Sequence, residues 1–185
     1  MVVAVVLGLG LSACGSSGPE GPSTAPTCDR GNVLILMAQS VPSAAYVPCI
    51  TEFPIGWTFG GEDFDSSTSE FWLDSDRAGP NAVTVTLAPT CDTRGAVKVP
   101  VEPDEAGTTR YESPESLPPA AYVADRFYRF AGGCVTYHFA FQPGATFTQA
   151  LEATSALTFY SRQLGVRQLR REGITLCGAG VECPG

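Results

Sequence analysis

Polar and apolar positions follow different repeats along the chain, and these patterns predict most of the secondary structure. Residues 32–41 (NVLILMAQSV) are apolar at too many positions for a surface helix. Leu, Met, Ala and Gln at their centre, and the proline that follows, favour a short buried helix over a strand. Residues 81–89 (NAVTVTLAP) alternate, with Val83, Val85 and Leu87 on one face and threonines on the other, as in a half-buried strand.

Further strands are predicted where aromatic residues are frequent. Residues 56–64 and 70–76 read as strands, and residues 74–81 (DSDRAGPN) between them and the next strand have the composition of a loop. Residues 126–141 (RFYRFAGGCVTYHFAF) predict a hairpin that turns at two glycines. His138 falls on the face opposite the apolar positions that follow that turn.

The clearest helical pattern covers residues 146–164. Thr146 and Gln149 form the Thr-x-x-Gln pattern of a capping box, apolar residues recur at helical spacing, and Gly165 fits the helix end. A shorter basic helix is predicted just beyond it, and residues 99–115 predict a Pro- and Glu-rich loop or hairpin. The sum is an α+β fold with an antiparallel sheet and a few helices.

Two segments of the chain recur later in the same order and with similar sequences. PTCDRG at 26–31 matches PTCDTRG at 89–95, and SVPSAAYV at 40–47 matches SLPPAAYV at 116–123. This agreement predicts an internal duplication. The two halves would cover about 28–88 and about 89–185.

The N-terminal segment is apolar and short. Residues 1–13 end in small residues and are too few to cross a bilayer core of about 30 Å, which needs about 20 residues. They fit the apolar part of a secretory signal peptide better than the alternative, a buried N-terminal strand. No Lys or Arg precedes the apolar run, so either the start lies upstream or the segment has been shortened.

Leu11-Ser12-Ala13-Cys14 resembles the lipobox of bacterial lipoproteins. That resemblance implies cleavage before Cys14, a diacylglyceryl thioether on its sulfur, and a location on the outer side of the cell membrane. Residues 14–27 would then be the lipidated cysteine and a Gly-, Ser- and Pro-rich tether. Its thirteen residues after the cysteine would reach roughly 45 Å when extended. Residues 28–185 would form the extracytoplasmic domain.

The seven cysteines agree with this assignment. If Cys14 carries lipid, six remain, and an even number in an exported protein predicts disulfides. A zinc site is the weaker alternative, because no Cys-x-x-Cys occurs and the chain has one histidine. If each half closes on itself, the predicted pairs are Cys28–Cys49, Cys91–Cys134 and Cys177–Cys183.

The body of the chain, about residues 26–172, resembles uncharacterised extracytoplasmic proteins of high-GC Gram-positive bacteria. The features that carry the resemblance are AYVPC at 45–49, FWLDSDRAGP at 71–80, and GGCVTYHF at 132–139 followed by a helix. The resemblance implies a location outside the cytoplasm and implies nothing about chemistry.

Charge and candidate chemistry narrow the function only in part. With 19 acidic and 11 basic residues the chain has a net charge of −8, which argues against nucleic acid as a partner. The single histidine, His138, is interpreted as an ordinary strand residue because no nucleophile motif accompanies it. We expect no cofactor and no bound metal.

One acidic and aromatic segment is the candidate ligand or cation surface. Calcium binds oxygen ligands of this kind, although the spacing does not match an EF-hand, and a solvated turn is the simpler interpretation. Exposed rings beside carboxylates bind sugars or cationic ligands, whereas buried rings would belong to a sheet core. The candidate residues are Asp63, Asp65, Asp74, Asp76, Trp57 and Trp72.

A second charged feature lies near the C-terminus. Arg162, Arg167, Arg170 and Arg171 form a basic strip that is either the solvated side of a helix or a contact with anionic headgroups. Taken together, the sequence predicts a lipid-anchored, non-enzymatic binding or accessory module of the cell envelope. Its partner would be an envelope component or a membrane protein. The alternative is an envelope hydrolase that uses acidic residues.

Overall fold

The computed structural model describes residues 24–29, 32–116 and 121–176. The predicted signal peptide, Cys14, most of the tether and the proposed Cys177–Cys183 pair lie outside these residues. No helix in the described part of the chain is long and apolar enough to cross a membrane.

The described residues form two antiparallel sheets and three α-helices, which confirms the α+β prediction. The larger sheet has seven strands in the order β2-β3-β4-β8-β7-β6-β5, and the smaller pairs β1 with β9. A 3₁₀ turn at Pro103–Glu105 links β5 to β6. The elements are α1 (Asn32–Ser40), β1 (Tyr46–Ile50), β2 (Trp57–Phe64), β3 (Ser69–Ser75), β4 (Gly79–Ala88), β5 (Val97–Val99), β6 (Thr109–Ser116), β7 (Val123–Phe130), β8 (Gly133–Ala140), α2 (Phe147–Ala156), β9 (Leu157–Ser161) and α3 (Arg162–Arg171).

Most elements predicted from the sequence are present. The buried helix is α1, the aromatic strands are β2 and β3, and the alternating strand is β4. The predicted hairpin is formed by β7 and β8, and the Pro- and Glu-rich segment contributes to the β5–β6 hairpin. The segment read as a loop at 74–81 is shorter than expected, because β3 runs to Ser75 and β4 begins at Gly79.

The single helix predicted over residues 146–164 is wrong. Its first part is α2, where Thr146 N donates to Gln149 Oε1 at 2.7 Å as the capping box requires. The chain then extends as β9, which pairs with β1 from Ile50↔Leu157 to Tyr46↔Ser161. Strand pairing with distant residues outweighs the helical spacing of the apolar positions. Gly165 therefore lies inside α3 and does not end a helix.

The seven-stranded sheet is covered on one face, here called the inner face. Its alternate residues Phe71, Leu73, Val85 and Tyr137 are almost fully buried, and α1, β1 and α2 contribute to the same core. The opposite, outer face carries the intervening polar and aromatic residues, which are partly exposed. The alternation of β4 and β8 thus corresponds to a sheet packed on one side, as predicted.

Two disulfides connect the described cysteines as predicted. Cys28 pairs with Cys49 and holds the start of the domain against β1, where Cys28 N also donates to the Ile50 carbonyl at 2.9 Å. Cys91 pairs with Cys134 and ties the segment after β4 to β8. The predicted duplication stays a prediction, since the two halves supply strands to one common sheet.

A charged clamp fixes α2 beside the sheet. Arg77, in the turn between β3 and β4, donates to both carboxylate oxygens of Glu152 at 3.1 and 2.7 Å. Trp57 Nε1 donates to the same carboxylate at 3.3 Å. The clamp therefore connects α2 to β2 and to the β3–β4 turn.

Candidate ligand-binding site

A cavity of about 360 Å³ lies between the inner face of the sheet and the α2–β9 segment. Strands β6, β7 and β8 form one wall, and the 3₁₀ turn and α2 form the others. Its volume falls within the range of about 300–1,000 Å³ that is usual for small-molecule sites. The lining combines aromatic rings with five charged side chains, so it is more polar than the lining of most small-molecule sites.

Two charged residues meet at the rim of the cavity and are largely buried. Arg110 Nη1 lies 3.1 and 3.0 Å from the two carboxylate oxygens of Glu105, and their side chains are only 14% and 12% exposed. The hydroxyl of Tyr128 donates to Glu105 Oε1 at 2.8 Å. These contacts hold the 3₁₀ turn against β6 and β7.

Arg126, on β7, places a buried guanidinium in the cavity wall. Its residue is only 9% exposed, and Nε lies 2.9 Å from Glu112 Oε1 without forming a hydrogen bond of favourable angle. Its guanidinium also lies 6.0 Å from the centre of the Phe139 ring. A buried guanidinium has five donors in a planar fork that fits a carboxylate or phosphate.

The ionisation of this cluster follows from its burial and its partners. Burial raises the pKa of Tyr128, the Glu105 carboxylate adds to that effect, and Arg126 opposes it. Burial alone would lower the pKa of Arg126, but Tyr128, Glu112 and Glu105 outweigh it, so the pKa is raised. At neutral pH the wall therefore presents the neutral phenol of Tyr128 and the charged guanidinium of Arg126.

The opposite side of the cavity is apolar and partly open. Phe147 and Leu151, four residues apart on α2, line the cavity and are each 50% exposed. Phe159 on β9 packs against both Tyr128 and Tyr137, with ring centres 5.0 and 6.4 Å away. A ligand in this cavity would thus contact apolar side chains on one side and, on the other, the guanidinium groups of Arg110 and Arg126 together with the carboxylates of Glu102, Glu105 and Glu112.

The candidate surface predicted from the sequence is divided between different parts of the fold. Trp57 is 3% exposed and belongs to the core on the inner face, whereas Trp72 lies on the outer face above the backbone of Gly60 and Gly61. Asp63 is exposed and pairs in register with Glu70.

The remaining candidate carboxylates stabilise turns. Asp65 accepts hydrogen bonds from the backbone of Ser67 and Thr68, both at 2.6 Å, which lower the pKa of its carboxyl to about 2. Asp74 accepts from the backbone of Asn81 at 2.7 Å, and Asp76 lies 3.4 Å from a guanidinium nitrogen. Within the described ranges, no three His, Cys, Asp or Glu side chains are grouped so that they could hold a metal ion.

His138 lies on the outer face, as predicted, and is paired with a carboxylate. Its Nδ1 is 2.7 Å from Asp125 Oδ1 on the neighbouring strand, and the histidine side chain is 41% exposed. Thr84 is its partner in register on the other side. In the part of the chain that the structure describes, no Ser, Thr or Cys side chain is hydrogen-bonded to His138, so a nucleophile–base pair is not assembled there.

Sequence reasoning missed the cavity residues Arg110, Glu112 and Arg126. They lie in β6 and β7, where charged residues are the pattern expected of a strand at the solvated edge of a sheet. The sequence did contain a signal for this wall. In a strand, Arg126 and Tyr128 are two residues apart and point to the same face, whereas Asp125 points to the other. Comparison with known proteins gives no match: no family model, no curated protein and no solved structure is significantly similar to the chain.

Proposed function

We propose that this protein is a lipid-anchored binding module of the cell envelope whose cavity takes a small ligand that carries an anionic group. The observation that carries the ligand site is the buried Arg126 in the wall of a cavity of about 360 Å³, where its Nε is ion-paired with Glu112 at 2.9 Å but forms no hydrogen bond of favourable angle. An unsatisfied buried donor costs about 1–3 kcal/mol, and a ligand carboxylate or phosphate that offers Arg126 a better-aligned acceptor would recover part of such a cost.

The apolar side of the cavity supports a ligand with more than an anionic group. Phe147 and Leu151 leave about half of their surface in solvent, and a ligand that covers them gains about 25 cal/mol per Å² of apolar area removed from water. The ligand class that fits both walls is an anion with an apolar or aromatic body.

Native mass spectrometry of protein purified in mild detergent tests the site. We expect the wild-type protein to retain a small anionic molecule, and Arg126→Gln to lose it. Leu151→Trp is the second variant, because it narrows the opening from an exposed position and removes no buried charge. Arg94→Gln, far more exposed, is the matched control and should retain the ligand. A wild-type protein that remains empty, or retention by both cavity variants, would contradict the proposal.

The anchor is proposed from the sequence, because the Leu-Ser-Ala-Cys motif and the odd cysteine count point to the same residue, Cys14. Crosslinking in native membranes, followed by mass spectrometry, compares the wild type with Cys14→Ser. We expect the variant to leave the membrane fraction and to lose its crosslinks to envelope components. Retention of Cys14→Ser at the membrane would count against lipidation.

The hydrolase alternative stays a prediction about Asp74 and Asp76. Asp74 lies near the end of β3 and Asp76 in the β3–β4 turn, and neither lines the cavity. An enzyme that used them would lose activity, but not its fold, on substitution by Asn.

A further inference from the structure

Helix α3 has one side packed on the domain and one side in solvent. Arg162 and Leu169 are buried, and Arg162 Nη1 donates to the Ala38 carbonyl of α1. Leu164, Arg167 and Arg171 are exposed and follow one another at i, i+3 and i+7, so they share one side of the helix. The basic strip predicted from the sequence therefore keeps Arg167, Arg170 and Arg171 but loses Arg162, which is buried.

The exposed side of α3, defined by Leu164, Arg167, Arg170, Arg171 and the adjoining Ile174, is cationic and partly apolar. The ion pairs among the described residues include none that involves its three arginines. Leu164 and Ile174 are 49% and 48% exposed. This combination stands out in a chain whose net charge is −8. An anionic surface complements these arginines. It would repel the acidic remainder of the molecule, which would therefore face away from it.

The tether enters the domain in the same structural unit. Cys28 is bonded to Cys49 in β1, and β1 pairs with β9, which continues directly into α3. A five-residue strand is roughly 15 Å long, so the entry of the tether lies within about that distance of the first turn of α3. A membrane attachment through the N-terminal segment would keep this unit within the roughly 45 Å reach of the tether, so the exposed side of α3 could contact the headgroups.

We propose that the exposed side of α3 rests on the anionic headgroups of the membrane and orients the domain there. The guanidinium groups contact phosphates, and Leu164 and Ile174 lie at the level of the headgroups. The proposal concerns a surface apart from the ligand cavity and does not depend on the identity of the ligand. It uses the N-terminal anchor only for proximity, so the contact itself is measurable without lipidation.

Vesicle binding by the full chain carrying Cys14→Ser measures the contact. Each arginine held near an anionic surface strengthens association about fivefold, so three give about 10²-fold. We expect tighter binding to vesicles with phosphatidylglycerol than to pure phosphatidylcholine vesicles. Replacing all three arginines of the exposed side by Gln should remove most of that difference. Raising the salt from 0.1 to 1 M should do the same, because the screening length falls from about 10 to about 3 Å.

A control variant of the same net charge separates a local contact from overall charge. Arg94, Lys98 and Arg129 are exposed elsewhere in the molecule, and replacing all three by Gln should leave the vesicle preference intact. Leu164→Trp adds a local reporter, whose fluorescence should shift to the blue on anionic vesicles. Val97→Trp, at the far edge of the sheet, should not shift.

Several results would overturn the proposal. They are equal binding to neutral and anionic vesicles, no binding to either, or equal losses in the two triple variants. A dimer that dissociates when the α3 arginines are replaced, without any vesicle preference in the wild type, would assign the surface to a second copy of the chain instead.

Discussion

Replacing Glu105 by Gln tests whether the charged cluster at the cavity stabilises the fold. Glu105 lies within 3.1 Å of Arg110 Nη1 and accepts the Tyr128 hydroxyl at 2.8 Å. Gln still accepts the hydroxyl, so the change removes mainly the negative charge. Glu112, at 3.6 Å, would then be the remaining carboxylate paired with Arg110 among the described residues.

The expected loss follows from the exposure of the two partners. Removing one partner of a fully buried ion pair costs about 3–5 kcal/mol, because the other charge is left buried. Glu105 and Arg110 keep 12% and 14% exposure, and Glu112 compensates in part, so we expect a smaller effect. The free energy of unfolding should fall by about 2–3 kcal/mol.

Urea unfolding measures this loss. The slope of the free energy of unfolding against urea concentration should stay unchanged if only stability is affected. Asp92→Asn removes one partner of an exposed pair with Arg94 and is the control, for which we expect no measurable change. In a background of Arg110→Gln, the cost of Glu105→Gln should shrink, since the charge it leaves is already gone. A loss no larger than that of the control would refute the reasoning.

Two further predictions concern alkaline stability and the disulfides. Because burial raises the pKa of Tyr128, the folded state keeps the phenolic proton that the unfolded chain loses near pH 10. The resulting stabilisation is complete below about pH 10 and is lost as the pH rises further. Tyr128→Phe should therefore show a smaller fall in Tm above pH 10 than the wild type. Identical curves of Tm against pH for the two proteins would contradict this. Replacing Cys91 and Cys134 by Ser removes a cross-link between residues 43 positions apart and should lower the free energy of unfolding by about 4 kcal/mol. Replacing Cys28 and Cys49 opens 21 residues and should cost about 3 kcal/mol in the same urea assay, and the reverse order would be inconsistent with loop entropy.

Local patterns were sufficient to predict much of the sheet. The alternation of β4 and β8 identified their buried faces, because each strand has one side in the core and one in solvent. The repeated PTCD segments predicted both disulfides that the structure describes. These features depend on neighbours in sequence, or on a comparison of one stretch with another.

The features that were not predicted depend on distant contacts. Leu157–Ser161 has apolar positions that suit a helix or a strand, and only the presence of β1 decides between them. The cavity likewise requires the register of β6 with β7, which places Glu112 opposite Arg126. A single sequence does not contain that register, so charged strand residues could not be distinguished from solvated ones.

The β1–β9 sheet also constrains the order of folding. Its two strands are about 110 residues apart in the chain, whereas the β2–β3, β3–β4 and β7–β8 hairpins pair close neighbours. Contacts between distant residues form slowly, since a long loop must close first. During synthesis from the N-terminus, β1 emerges early and, apart from its bridge to Thr27, has no strand partner until β9 follows. The unit that receives the tether is consequently among the last to be completed, and an edge of β1 stays open to other chains until then.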